Sequence, residues 1–131
     1  MNDINKLLAR PGNPGQLLFD HLNNVAKLCG QYASKFNQEK LGEIVGFAHD
    51  IGKAADEFEK KLQGEDNKYY HAQASSYAIQ KYGNNLTELE KAIVSFVIHH
   101  HHTSIQDKYD FWAELKNFQV PQNNLFEGIA K

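Results

Sequence analysis

Leu17, Leu18, His21, Val25, Leu28, Cys29, Tyr32 and Phe36 recur at three- and four-residue intervals along one stretch of chain. A side chain returns to the same face of an α-helix every 3.6 residues, so this spacing predicts a long helix whose apolar face carries His21. Gly30 inside it costs about 1 kcal/mol relative to alanine. The segment "RPGNPGQ" ahead of it is a turn cluster, since its prolines and glycines suit no regular element interior. Leu41, Ile44, Val45 and Ala48 mark a second helix that runs into His49 and Asp50, with Gly52 as its stop. "AADEFEKKLQ" is a short third helix ending at Gly64.

A fourth helix starts near His71, with Ala74, Ser75, Ala78, Ile79 and Tyr82 on one face and Gly83 as its cap. "TELE", Thr87 to Glu90, matches a capping box, in which hydroxyl and carboxylate satisfy helix-end amides reciprocally. The fifth helix it opens has Leu89, Ile93, Phe96, Val97 and His100 in register. "KYDFWAELKNF" makes a sixth, with Phe111, Leu115 and Phe118 inward. No segment has the period of two that a strand requires. The expected fold is all-α, a bundle of five to six helices forming a single domain over residues 1–131, long enough for one core.

The chain has seven histidines: His21, His49, His71 and the internal run His99 to His102. A lone histidine on an apolar face is ordinarily a satisfied core residue. Here four separate helices each turn one inward, and every buried imidazole brings a donor and an acceptor that need partners. A divalent cation satisfies many of them at once, and a neighbouring carboxylate helps hold its charge. His49 and Asp50 are about 100° apart around a helix, so they reach two ions or two sides of one. Both are expected metal ligands, with Asp50 placed to bridge two ions through its two oxygens. Such an ion polarises a phosphate and lowers the pKa of bound water.

The pattern of His21 in "LLFDHLNNVA", then "HDIGKAADEF", then "HAQASSYAI" from His71, then "AIVSFVIHH" ending at His100 resembles the HD superfamily of metal-dependent phosphohydrolases. More narrowly, the Gly-Lys extension, Phe58 and the His-x-x-x-Ser at His71 to Ser75 resemble the HD nuclease domain of CRISPR type I interference helicase-nucleases. The match covers roughly residues 17 to 102. The resemblance implies a helical domain that cuts single-stranded DNA with one or two ions. It assigns His21, His49 and Asp50 to one ion and His71, His99 and His100 to the other, with Asp50 facing both. It puts Lys53 at the scissile phosphate. His101 stands where the family often has glycine, leaving His101 and His102 either further ligands or solvent-facing. The family also has an acidic ligand on a later helix. Asp107 and Asp110 come too soon after the histidine run to supply it, so the chain is expected to be a compact version or a fragment.

A site with five imidazoles favours manganese, iron, cobalt or nickel over magnesium, which prefers oxygen ligands. The net charge of −2 announces no nucleic-acid groove, so a helicase and a CRISPR effector complex are expected to deliver the strand. Lys60 and Lys61 lie among glutamates, after Glu57 and Glu59, as on a solvated face, and Tyr69, Tyr70 and Trp112 are either base-stacking or packing residues. An alternative is an HD phosphohydrolase acting on a small or cyclic nucleotide. A third reading is a non-catalytic helical module that docks on partner subunits. The single Cys29 suits a reducing, cytoplasmic location, and no apolar run approaches the ~20 residues of a membrane span.

Overall fold

A computed structural model describes residues 4–66, 68–105 and 107–119. Among them the chain forms α1 (Leu18–Ser34), α2 (Glu39–Ala48), α3 (Asp56–Leu62), α4 (His71–Tyr82), α5 (Glu88–His99) and α6 (Lys108–Lys116). The fold is all-α, and each helix lies where the periodicity placed it. The exception to helix is a two-stranded antiparallel hairpin, β1 (Leu8–Arg10) with β2 (Gln16–Leu17), around the expected turn cluster. Strands of three and two residues are too short to reveal a period of two. No helix among the described residues is long and apolar enough to cross a membrane.

α1 runs unbroken through Gly30. The chain then reverses at Asn37, whose φ of 58° is one that asparagine tolerates, and α2 returns alongside α1. The two backbones approach so closely that a Cβ on Gly46 would sit 2.6 Å from the Val25 carbonyl oxygen. Close approach selects small residues, so the stripe of α1 that faces α2 is Ala26 and Gly30. The bulky apolar positions expected inside are displaced from it. Leu28, Tyr32 and Phe36 are exposed, whereas Leu18 and Leu22 are buried.

α5 is also rotated from the expected facing. Its capping box forms: Glu90 N–H donates to Thr87 Oγ1 at 3.2 Å, and Thr87 N–H to Glu90 Oε2 at 2.8 Å. Its buried face is Val94, Ser95, Ile98 and His99, while Leu89, Ile93 and Val97 are exposed. Polar contacts from α4 explain this. Ser76 Oγ donates to the Ser95 carbonyl at 2.8 Å, and Gln80 Nε2 donates to Ser95 Oγ at 2.7 Å and to the Lys91 carbonyl at 3.1 Å. Ser95 is fully buried by these bonds, and the face that includes it turns inward. The core then gathers Leu18, Leu22, Ile51, Ala74, Ala78, Val94 and Ile98. One end of this core meets the histidines.

Candidate metal centre

α2 stops at Ala48, and His49 caps it. A 3-10 turn follows over Ile51–Ala54. Gly52, expected to stop α2, is instead buried within that turn against the start of α4. A Cβ there would lie 2.2 Å from the His71 carbonyl oxygen, so only glycine fits. Gly52 N–H donates to Ser75 Oγ at 2.8 Å, and Ser75 Oγ donates to the His71 carbonyl at 2.8 Å. The Tyr69 hydroxyl donates to the Gly52 carbonyl. The His-x-x-x-Ser spacing thus has a mechanical meaning: the serine ties the turn carrying Asp50 to the backbone of His71.

Asp50 is buried, and nitrogens surround its carboxylate. His21 Nε2 lies 3.0 Å from Oδ2, His49 Nε2 3.2 Å and Lys53 Nζ 2.9 Å. On the other oxygen, Oδ1, are His71 Nε2 at 3.1 Å and His101 Nε2 at 3.2 Å. Burial alone would raise the Asp50 pKa. The imidazole nitrogens of His101, His49 and His71 gathered around it outweigh that effect and hold the carboxyl far below the usual carboxylate range. Burial lowers the His21 pKa, partly offset by its bond to Asp50. Burial, with the charges of His101 and His71, lowers that of His102.

The expected residues His21, His49, Asp50, Lys53 and His71 come together. His99 and His100 do not join them. His99 Nε2 lies 2.8 Å from Glu114 Oε2, and His100 Nδ1 donates to the Phe96 carbonyl at 2.7 Å. Both rings pack on Phe111. The pair at the site is His101 and His102, whose ring centroids lie 4.0 Å apart at a tilt of 45°, with the His102 ring 5.1 Å from that of His71. The inward turn of Val94 and Ile98 is the cause, because three residues past Ile98 on the same side is His101. Val94 and Ile98 point to the pair that faces Asp50, but the other face of the helix, with Leu89, Ile93 and Val97, is at least as apolar. Asp107 is an N-cap for α6, accepting from the N–H groups of Tyr109 and Asp110, and so is used outside the site.

Do these residues fit a cation? His49 Nδ1 donates to the Gly46 carbonyl at 2.6 Å, and His101 Nδ1 donates to the Ile98 carbonyl at 2.5 Å. A carbonyl can only accept, so each Nδ1 carries the proton, and a neutral ring then offers a lone pair at Nε2. Both Nε2 lone pairs would face Asp50 oxygens, which is repulsive unless a proton or cation intervenes. His71 Nε2 is buried beside Oδ1 without a well-aligned hydrogen bond. Ligand atoms about 2.0–2.2 Å from one ion lie about 2.8–3.6 Å apart at octahedral or tetrahedral angles. The contacts of 3.0–3.3 Å among His21, His49 and Asp50 match that spacing. Two ligand groups result, His21, His49 and Asp50, and Asp50, His71, His101 and His102, each with ligand atoms within 4.8 Å of one another.

The family model for the HD domain matches residues 18–126. The chain belongs to the HD-domain family. No curated protein and no solved structure matches it. HD domains as a family are divalent-metal-dependent phosphohydrolases, and in this HD domain the adjacent histidine and aspartate are His49 and Asp50. The site of this HD domain sits where α1, α2, α4 and the end of α5 meet. Its fold brings one histidine from each of the first three and two from the last.

Proposed function

We propose that this HD domain is a metal-dependent nuclease that cleaves single-stranded DNA in CRISPR interference, working in the cytoplasm beside a helicase and an effector complex. The observation that carries the hydrolytic part of this reading is the division of the Asp50 carboxylate. One oxygen faces His21 and His49, and the other faces His71 and His101. One carboxylate shared by two imidazole groups suits one or two ions of manganese, iron, cobalt or nickel. A divalent ion held there would polarise a phosphate and bring the pKa of a bound water toward neutrality.

The protein's own groups prepare for that chemistry. The Gly46 and Ile98 carbonyls keep the Nε2 atoms of His49 and His101 available as ligand atoms. Lys53 Nζ is held between Asp50 Oδ2 and the Ala9 carbonyl of β1, 3.3 Å away. It offers a fixed positive charge at the edge of the cluster, where a phosphate oxygen would lie. His102 is the exposed member of its group and the one at the mouth of the site.

A small or cyclic nucleotide is the second reading. A cavity of ≈ 480 Å³ opens beside His71 and His102, within the ~300–1,000 Å³ range of small-ligand pockets. Cleavage assays on single-stranded DNA and on a nucleotide panel, each with Mn²⁺, separate the two. Wild type is expected to cut DNA, and Asp50→Asn to lose both bound metal and cutting. Undiminished cutting by Asp50→Asn would overturn the hydrolytic reading. Hydrolysis of nucleotides alone would replace the DNA substrate with the second.

A further inference from the structure

Tyr69 and Tyr70 precede α4 and behave oppositely. Tyr69 is buried, with its hydroxyl committed to the Gly52 carbonyl. Tyr70 is 58% exposed. Its ring is nonetheless held in place, because Lys61 Nζ donates to the Tyr69 carbonyl at 2.9 Å and stands 5.3 Å from the Tyr70 ring centroid. An ammonium anchored in this way covers one side of the aromatic ring by cation–π attraction and restrains it.

The cavity of ≈ 480 Å³ is where this arrangement points. Lys61, Tyr70 and Gln73 line it together with His71, His102 and Ser104. His71 and His102 belong to one Asp50 ligand group, so the cavity is continuous with the candidate metal centre. Tyr70 is covalently next to His71 and lines the same cavity, which keeps ring and ligand close. Gln73 Nε2 donates to Glu114 Oε2 at 3.2 Å, so the amide is oriented with its oxygen left to accept. The hydroxyls of Thr103 and Ser104 lie on the exposed rim. An aromatic surface with hydrogen-bonding groups at its edge, beside a phosphate-handling site, matches a planar heterocycle carrying exocyclic donors and acceptors.

We propose that this cavity is a nucleobase subsite, with one base of the substrate stacked on Tyr70 while the adjoining phosphodiester lies at the Asp50 cluster. The proposal rests on the phosphohydrolase reading above and specifies its substrate as a phosphodiester bearing a nucleobase. That base can come from a DNA strand or from a small nucleotide. Stacking tolerates any base, so Tyr70 provides affinity and register rather than sequence choice.

The test is equilibrium binding to the full chain in chelator, where no hydrolysis intervenes. The probes are a fluorescently labelled oligothymidylate and an abasic strand of equal length, read by anisotropy. Tyr70→Ala is expected to weaken the oligothymidylate by about 5- to 150-fold, the loss of one stacked base. Tyr70→Phe is expected to retain the affinity within about twofold, because the π-face survives. Binding of the abasic strand is expected to be the same in wild type and Tyr70→Ala. Equal weakening of both probes by Tyr70→Ala, no weakening of either, or no oligothymidylate binding by wild type would overturn the subsite. Should Tyr70→Ala lose its cooperative melting transition, Gln73→Ala replaces it, with selective weakening of oligothymidylate expected and unchanged binding refuting. Competition by a mononucleotide identifies the small-nucleotide source, and its failure identifies the strand. The subsite and the hydrolytic reading fail separately. Loss of hydrolysis in Asp50→Asn with undiminished base binding in Tyr70→Ala removes the subsite alone. Hydrolysis unaffected by Asp50→Asn removes the hydrolytic reading instead.

Discussion

Replacing Ser75 with alanine tests how the fold holds the two halves of the site together. Ser75 is fully buried, and its Oγ is the acceptor for the Gly52 N–H. The turn containing Gly52 cannot rotate that N–H toward water, because the Tyr69 hydroxyl holds the Gly52 carbonyl and His71 crowds the Cα. Ser75→Ala therefore leaves a buried donor without a partner, at a cost of about 1–3 kcal/mol. Ser76→Ala is the matched control. Ser76 is equally buried, but its Oγ donates to the Ser95 carbonyl, within α5. A carbonyl losing one of two partners costs less, about 0.5–1.5 kcal/mol. Against a total of about 5–15 kcal/mol both variants stay folded. Urea unfolding of the metal-free proteins measures the difference, with m unchanged as the sign of comparable end states. Calorimetric titration with Mn²⁺ gives the second readout. Ser75→Ala is expected to weaken binding by about tenfold or more, since the His71 backbone is no longer tied to the Asp50 turn, while Ser76→Ala, in which the Gln80 bonds to Ser95 and Lys91 still hold the facing of α5, weakens it by less. Equal destabilisation by the two variants, or full metal affinity in Ser75→Ala, would refute the role given to this serine.

The histidine run gives the next prediction. His101→Ala is expected to lower Mn²⁺ affinity by more than about tenfold, and His100→Ala to leave it within about threefold, by the same titration. The reverse order would restore the register expected from sequence. Stability against pH gives another. The folded pKa values of His21 and His102 lie below the ordinary value, so the unfolded chain binds those protons more readily. Stability of the metal-free protein is therefore expected to rise with pH through about 6.5 and to fall on acidification below it. Asp50, held far below its ordinary value, keeps its charge there, and its contribution is lost only in much stronger acid. Urea midpoints between about pH 5 and pH 7 measure the slope, and a stability that falls as pH rises would contradict the assignment.

Legibility from sequence depended on how local the determinant was. His21 and His71 could be assigned from helical register on segments whose polar and apolar sides differ. His49 and Asp50 follow directly on the periodic run of α2, although that helix stops at Ala48 and not at Gly52, and Thr87 to Glu90 satisfy each other within one turn of chain. Lys53 is singled out by the family resemblance alone, and its pairing with Asp50 is visible only in the structure. The Ala9 carbonyl that also holds Lys53 comes from a hairpin too short to have a pattern. Tyr69 and Tyr70, alike in sequence, separate into a buried strut and an exposed ring only once α4 and the 3-10 turn are packed.

The chain's own pattern determined an all-α fold, the six helices of the described residues and the placing of His21, His49, Asp50 and His71, because period and capping are set by neighbours within a few residues. Tertiary packing alone decided that His101 and His102, rather than His99 and His100, face Asp50. α5 is apolar on both sides, so burying either would satisfy the hydrophobic effect about equally. The choice fell to hydrogen bonds that Ser76 and Gln80 of α4 make to Ser95 and Lys91, and these join residues far apart in sequence.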